Sequence, residues 1–126
     1  MKTIKPFDSH DSKMRLLTAW EDICGIPEIK VLHTKKDRAF LGGTIGHKHD
    51  YSETYLLAHG ESTWYTWNKT DGQQIHELKA PTLFIIEPNE EHAVIASNDM
   101  VLVGLLPQKF QPGSHIDAEH LELPQK

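Results

Sequence analysis

The segment from Gly46 to Glu53 reads GHKHDYSE and carries residue types that often bind transition metals. Residues i and i+2 of a β-strand point to the same face, so a strand here would project His47 and His49 together. Glu53 follows four residues after the second histidine and would open the next strand, which can fold back beside the first. The segment therefore predicts two imidazoles and a carboxylate at one metal site.

A fourth ligand is predicted in the segment EPNEEH, which begins at Glu87. Pro88 and Asn89 indicate a turn, and His92 begins the strand that follows. If these strands line one barrel, His92 completes a set of three histidines and one carboxylate. This set suits divalent Zn, Fe, Mn, Ni or Cu without selecting among them. Open coordination positions would make such a site catalytic rather than structural.

Strands must hold these ligands, because short apolar runs alternate with turn signals along the middle of the chain. Asp71-Gly72 is a hairpin turn signal, whereas residues 9–24 fit either a short helix or strands. A count of about eight to ten strands predicts an all-β barrel or double-sheet jelly roll, with room for one metal and one small ligand. The predicted strands cover residues 29–33, 39–44, 53–59, 62–67, 74–78, 82–86, 93–96 and 101–106.

These motifs resemble those of the cupin superfamily. Its first motif is similar to the His-x-His-x3-Glu pattern that starts at His47, followed by Gly60, and its second to the Pro-x3-His pattern that ends at His92. The resemblance covers about residues 40–106. It implies a double-stranded β-helix barrel with the four predicted ligands in the metal positions. We expect one domain over 1–126: strands or a short helix in 1–35, the barrel core in 40–106 and a tail in 107–126.

Aromatic residues extend the predicted site. Tyr55 has the same strand parity as Glu53 and is a candidate acid or base, since a metal or a buried partner can lower a phenol's pKa from about 10. Trp64 and Trp67 are candidates for stacking on a sugar ring or another flat ligand in the substrate pocket. Their alternative role is to fill the barrel core.

Nine histidines among 126 residues are the unusual feature of the composition. The histidines of the polar terminal segments, including His10, His115 and His120, are expected to be exposed to solvent. The single cysteine, Cys24, is expected to be a small buried residue. It excludes an internal disulfide and a cysteine zinc cluster, which fits a cytoplasmic protein.

The net charge of -5 argues against nucleic-acid binding, because phosphate contacts need clustered Lys and Arg. The N-terminal run MKTIKPFDSHDSK lacks the apolar core of a signal peptide. No run approaches the roughly 20 apolar residues of a membrane helix. The expected partners are a small-molecule substrate and a second copy of the chain. Cupin barrels often pair through N-terminal strands, and residues 1–35 are long enough to do so.

The resemblance to cupins leaves several functions open. The run from Asp11 to Val31 also resembles the lead-in of sugar-nucleotide epimerase and ketoisomerase cupins. It favours an isomerase or epimerase on a small polar or carbohydrate-like substrate, with a metal polarising a carbonyl and a base moving a proton. One alternative is a lyase, because Glu53-x-Tyr55 is similar to cupins that cleave dimethylsulfoniopropionate. Others are an Fe(II) dioxygenase and a non-catalytic ligand- or metal-binding cupin.

Overall fold

Over residues 1–41, 45–109, 111 and 115–124, which the computed structural model describes, the chain forms twelve β-strands and no helix. The predicted all-β fold is therefore confirmed. Residues 42–44 of the predicted strand over 39–44 lie outside the described residues, as do 110, 112–114 and 125–126 of the predicted tail. The strands are β1 Asp8–Asp11, β2 Arg15–Ile23, β3 Ile26–Thr34, β4 Ala39–Leu41, β5 His47–Lys48, β6 Glu53–His59, β7 Glu61–Asn68, β8 Gly72–Lys79, β9 Thr82–Ile86, β10 Glu91–Ala96, β11 Val101–Leu106 and β12 Ile116–Asp117.

Two antiparallel sheets enclose the interior of the domain. One has the strand order β1-β2-β3-β11-β6-β9, and the other has the order β12-β5-β10-β7-β8, with β4 also paired to β10. Pairings between strands distant in sequence, such as β3 with β11, close the structure as a double-sheet jelly roll. Among the described residues, none belongs to a helix that is long and apolar enough to span a membrane.

Strand alternation decides which side chains face the interior. In β6, Glu53, Tyr55 and Leu57 are buried, while the residues between them are more exposed. In β7, the buried residues include Trp64, and they alternate in the same way. The shared face predicted for Glu53 and Tyr55 is therefore confirmed, and it turns a carboxylate and a phenol toward the space between the sheets.

Residues 15–23, within the segment that fits either a helix or strands, form strand β2, which pairs with β3. Ile23 pairs with Ile26 across the turn Cys24-Gly25. Both turn residues have positive φ, 51° and 79°, as a type I′ hairpin turn requires. Cys24 is exposed, so the prediction of a buried cysteine is wrong. Its place at the tip of a hairpin outweighs the apolar character of its side chain.

The segment after β11 returns to the barrel. Strand β12 pairs with β5, and Glu119 and His120 then bind the fully buried carboxylate of Glu91. Glu91 accepts hydrogen bonds from the Glu119 N–H at 3.0 Å, the His120 N–H at 2.8 Å and His120 Nδ1 at 2.7 Å. The His120 ring also stacks on Trp67 at 3.7 Å between centroids. We call these four residues the C-terminal clip.

Candidate metal centre

Strands β5 and β10 bring two of the predicted ligands together. His47 and His92 are Cα partners across this antiparallel pair, and their ring centroids lie 4.5 Å apart. His49 follows β5, and its ring lies 4.9 Å from that of His47. One nitrogen of each ring lies within 4.8 Å of the corresponding atoms of the other two rings. The three histidines therefore converge on one point.

Glu53 approaches the histidines from the opposite sheet, at the start of β6. Its Oε1 lies 3.2 Å from His92 Nε2 and 3.5 Å from His49 Nε2. Only 2% of Glu53 is exposed, and Oε1 has no hydrogen-bond partner among the described residues. Leaving a buried carboxylate oxygen unsatisfied is unfavourable, so this atom indicates that the site binds something further.

A backbone contact sets the tautomer of His92. Its Nδ1 donates a hydrogen bond to the carbonyl oxygen of Glu90 at 2.9 Å, so Nε2 of the neutral ring carries a lone pair. That lone pair faces the Glu53 carboxylate across 3.2 Å. Two acceptors this close attract each other only through a shared cation or proton. The donor set of three imidazoles and one carboxylate therefore fits a divalent transition metal such as Zn, Fe, Mn or Ni.

Tyr55 holds the second oxygen of Glu53, since its hydroxyl donates to Oε2 at 2.5 Å. Burial opposes ionisation of Glu53, but protonated His92, which would donate from Nε2, outweighs it together with Tyr55 and His49 and lowers the pKa of Glu53 to about 2. Burial raises the pKa of Tyr55 well above its usual value, and the Glu53 carboxylate adds to this. The lowered pKa considered for Tyr55 from sequence is not found in this structure, because its partner is an anion.

A cavity of about 520 Å³ contains this site. Trp64 lines it together with Tyr55 and the four predicted ligands. The Trp64 indole N–H donates to Ser62 Oγ at 2.9 Å, which fixes the ring against the interior. Trp67 instead belongs to the C-terminal clip and is not among the described residues that line the cavity. Residues three apart in a strand face opposite sides, so the two tryptophans cannot share one pocket.

Sequence reasoning did not place four basic residues that also line the cavity: His10, Arg15, Lys30 and His115. His115 is exposed, as expected for a terminal segment, but its ring lies 5.0 Å from His47 and 6.1 Å from His49. The sheet topology brings β1–β3 and the C-terminal segment to the cavity, and no local spacing signals this. The surplus of histidines was the one signal available in the sequence.

Comparison with known proteins identifies the fold. The sequence matches no protein-family model and no curated protein. The capsular polysaccharide assembling protein CapF from Staphylococcus aureus matches with a TM-score of 0.74 at 14% identity, over 92% of this chain and 33% of CapF. Oxalate decarboxylase from Bacillus subtilis, which has Mn(II) centres, matches with a TM-score of 0.66 at 15% identity, over 93% and 33% of the two chains.

CapF and oxalate decarboxylase are both cupins. The chain has a cupin fold. A third cupin-fold match is hydroxypropylphosphonic acid epoxidase from S. wedmorenis, with a TM-score of 0.57 at 16% identity, over 82% of this chain and 58% of that one. The chain spans about one third of the length of CapF and of oxalate decarboxylase. At such identities the likeness establishes the fold, while the reaction must be argued from the site itself.

Proposed function

We propose that this cupin is a metal-dependent enzyme of the isomerase or epimerase type, which moves a proton on a small polar substrate. The observation that carries the proposal is the buried Glu53–Tyr55 pair beside the three histidines. Glu53 is ionised at neutral pH and Tyr55 is protonated, so one side chain can accept a proton and the other can donate a hydrogen bond. A purely structural metal site has no need of such a pair.

The chain's residues have separate roles in this proposal. The three histidines hold the metal, which when bound supplies Lewis acidity toward a substrate carbonyl or carboxylate oxygen. Glu53 takes a proton from the adjacent substrate carbon and returns it to the neighbouring carbon, which gives an isomer; epimerisation requires in addition a second proton donor on the opposite face of the substrate. Tyr55 fixes the Glu53 carboxylate through its 2.5 Å hydrogen bond to Oε2. Oε1 is thereby left as the oxygen that faces the reacting centre.

The size of the cavity supports a small substrate. A volume of about 520 Å³ lies within the usual range for pockets that hold metabolites. Trp64 and Tyr55 give it an apolar wall, while the predicted ligands and further charged side chains give it a polar one. This combination suits a carbohydrate-like or other small polar molecule.

A lyase is the second candidate, and the same Glu53–Tyr55 pair supports it. If the substrate carries a leaving group on the neighbouring carbon, removal of the proton by Glu53 ends in elimination instead of proton return. The product decides between the two reactions: an isomer has the substrate's mass, while elimination gives two fragments. An iron centre would instead favour an oxygenase, and identification of the bound metal tests this alternative.

We also infer that the chain forms a cytoplasmic homodimer through residues 1–35. Strand β1 lies at the edge of its sheet, and edge strands offer unpaired backbone groups to a second chain. Ile4 and Phe7, just before β1, are each 53% exposed. Sedimentation of the purified protein at several concentrations tests this, and a monomer throughout would refute it. The absence of a cysteine pair supports the cytoplasmic location.

Elemental analysis of the purified, untagged protein tests the metal site. We expect near-stoichiometric divalent metal in the parent and in His76→Ala, and loss of metal in His47→Ala and His92→Ala. His76 is an exposed histidine of β8 and serves as the matched control. A parent that takes up no metal after reconstitution with Zn, Fe, Mn or Ni would refute the proposal. Iron as the native metal would favour oxygenase assays over isomerase and lyase assays.

A further inference from the structure

Arg15 brings a half-buried guanidinium, with one unsatisfied nitrogen, to the cavity wall. Its side chain lines the same cavity as the metal centre. Nη1 is inaccessible to solvent and has no hydrogen-bond partner among the described residues, and these residues also provide Arg15 with no ion pair. Burying a guanidinium nitrogen without an acceptor is unfavourable. The position makes sense if an anionic ligand supplies that acceptor.

The β1–β2 hairpin fixes the backbone of Arg15. The Ser12 N–H donates to the Arg15 carbonyl oxygen at 2.9 Å, and Ser12 Oγ donates to the same oxygen at 3.1 Å. The Arg15 N–H in turn donates to Ser12 Oγ at 3.2 Å. The residue is therefore anchored at the first position of β2, and its side chain has a fixed starting point on the inner face.

Lys30 adds a second cation to the same wall. It pairs with Ala19 in β2 and Gly104 in β11, and its Nζ lies 5.8 Å from the centroid of the Tyr55 ring. Gly104 makes room for this arrangement: a Cβ there would lie 3.0 Å from Tyr55 Cε1 and 3.1 Å from Lys30 Cγ. The Lys30 side chain therefore extends toward the Tyr55 ring, whose hydroxyl binds Glu53.

Acidic residues on the cavity wall are engaged elsewhere. Glu21 lies 3.6 Å from Lys109 Nζ, Glu53 belongs to the metal centre, and buried Glu28 takes part in an interaction of its own. Asp8 is exposed on β1. Among the described residues, neither Arg15 nor Lys30 forms an ion pair, and Arg15 in addition has a buried nitrogen without a hydrogen-bond partner.

We propose that Arg15, assisted by Lys30, binds a carboxylate group of the substrate while the reacting end lies at the metal centre. This inference rests on the proposed function and narrows its substrate to a small carboxylic acid. A guanidinium offers two parallel donors that match a carboxylate or a phosphate. Two cations and a net charge of -5 favour the carboxylate, since a phosphate group carries more charge and demands more donors.

Calorimetric titration with malonate, malonamide and inorganic phosphate tests the subsite. The metal content of each sample is measured by elemental analysis, and folding is checked by circular dichroism. The variants are Arg15→Gln, Arg15→Lys and Lys30→Met. Lys79→Gln is the control, because it removes the same charge from an exposed lysine whose partner is Glu61, outside the cavity.

We expect malonate to bind, malonamide to bind at least tenfold more weakly, and phosphate to bind less tightly than malonate. Arg15→Gln should weaken malonate binding about tenfold or more with metal content unchanged, Lys30→Met less, and Lys79→Gln not at all. Arg15→Lys should recover part of the loss. Equal malonate affinity in folded Arg15→Gln and parent overturns the subsite, as does equal binding of malonamide. Tighter binding of phosphate overturns its assignment to a carboxylate.

Metal content separates this inference from the proposed function. If the parent holds no metal but binds malonate, and Arg15→Gln binds malonate more weakly, the metalloenzyme proposal fails and the anion subsite stands. If malonate binding disappears in His92→Ala but is unchanged in Arg15→Gln, the anion binds at the metal alone and the subsite is refuted.

Discussion

Two buried glutamates on either side of His92 in this fold have opposite surroundings. Glu91, in the C-terminal clip, has both carboxylate oxygens satisfied by Glu119 and His120. Glu53, at the metal centre, has one oxygen bound by Tyr55 and the other without a partner among the described residues. Both are almost fully buried, at 0% and 2% exposure. Burial alone therefore does not separate a structural carboxylate from a functional one.

The two carboxylates differ in whether hydrogen-bond donors of the chain contact both of their oxygens. A satisfied buried carboxylate ties elements together, as Glu91 ties the tail to β10. A buried carboxylate with an unsatisfied oxygen, such as Glu53, destabilises the fold. Its presence therefore indicates a role in binding or catalysis rather than in stability. The same reasoning distinguishes Arg15 from the paired lysines of the surface.

The largest effect should come from Glu53→Gln. If Glu53 moves the proton, this variant should keep its metal on the three histidines but lose about a hundredfold or more in rate. The rate is measured as deuterium uptake from D2O into a panel of small oxo- and hydroxy-acids. Glu91→Gln is the matched control and should retain both metal and exchange.

Loss of metal from Glu53→Gln, with metal retained in Glu91→Gln, would contradict this assignment. Glu53 would then be a required ligand, and another residue would have to act as the base.

A smaller, structural effect should come from Glu91→Gln. The Glu119 and His120 N–H groups donate to the same Glu91 oxygen, which the glutamine amide retains. The glutamine NH2 group would replace the oxygen that accepts from His120 Nδ1, so a hydrogen bond to a buried charge is lost at a cost of about 1–3 kcal/mol. The free energy of unfolding, measured in urea, should fall by that amount. Equal stability of Glu91→Gln and parent would show that the clip does not stabilise the fold.

The smallest effect should come from a carboxylate at the surface. Asp99 lies 2.5 Å from His33 Nε2 and 3.6 Å from His59 Nε2. The hydrogen bond with His33 lowers the pKa of Asp99, against a small opposing effect of burial. A lowered pKa stabilises the fold above the ordinary value of about 4, and this contribution is lost as the pH falls through the lowered value.

Asp99→Asn tests that contribution, and asparagine tolerates the positive φ of 63° at this position. The parent should have a slightly higher Tm than the variant near about pH 6, and the gap should close toward about pH 3. A gap that stays constant across this range would mean that the Asp99 charge plays no part.

The sequence was sufficient to predict most of the strands and the convergence of His47, His49, Glu53 and His92, because both follow from strand alternation and turn signals. The spacing of His47, His49 and Glu53 is read correctly once alternation is assumed, and His92 follows from the turn at Pro88-Asn89. The structure adds that Glu53 comes from the opposite sheet, a consequence of β6 pairing with β9 and β11.

The rest depends on contacts between distant segments. Arg15 and Lys30 reach the cavity because β2 and β3 join β11 in one sheet, and His115 reaches it through the pairing of β12 with β5. The same non-local packing reverses the expected pKa direction of Tyr55. Cys24 was misjudged because its backbone conformation, not its apolarity, decides its exposure.

The C-terminal clip also orders events during protein synthesis. Glu91 lies 28 and 29 residues before the two residues that bind it. When β10 leaves the ribosome, its carboxylate has none of these three donors, and it must stay hydrated until residues 119 and 120 have been made. Strand β10, which carries His92, therefore has the hydrogen bonds of Glu91 complete only after the returning segment has joined it.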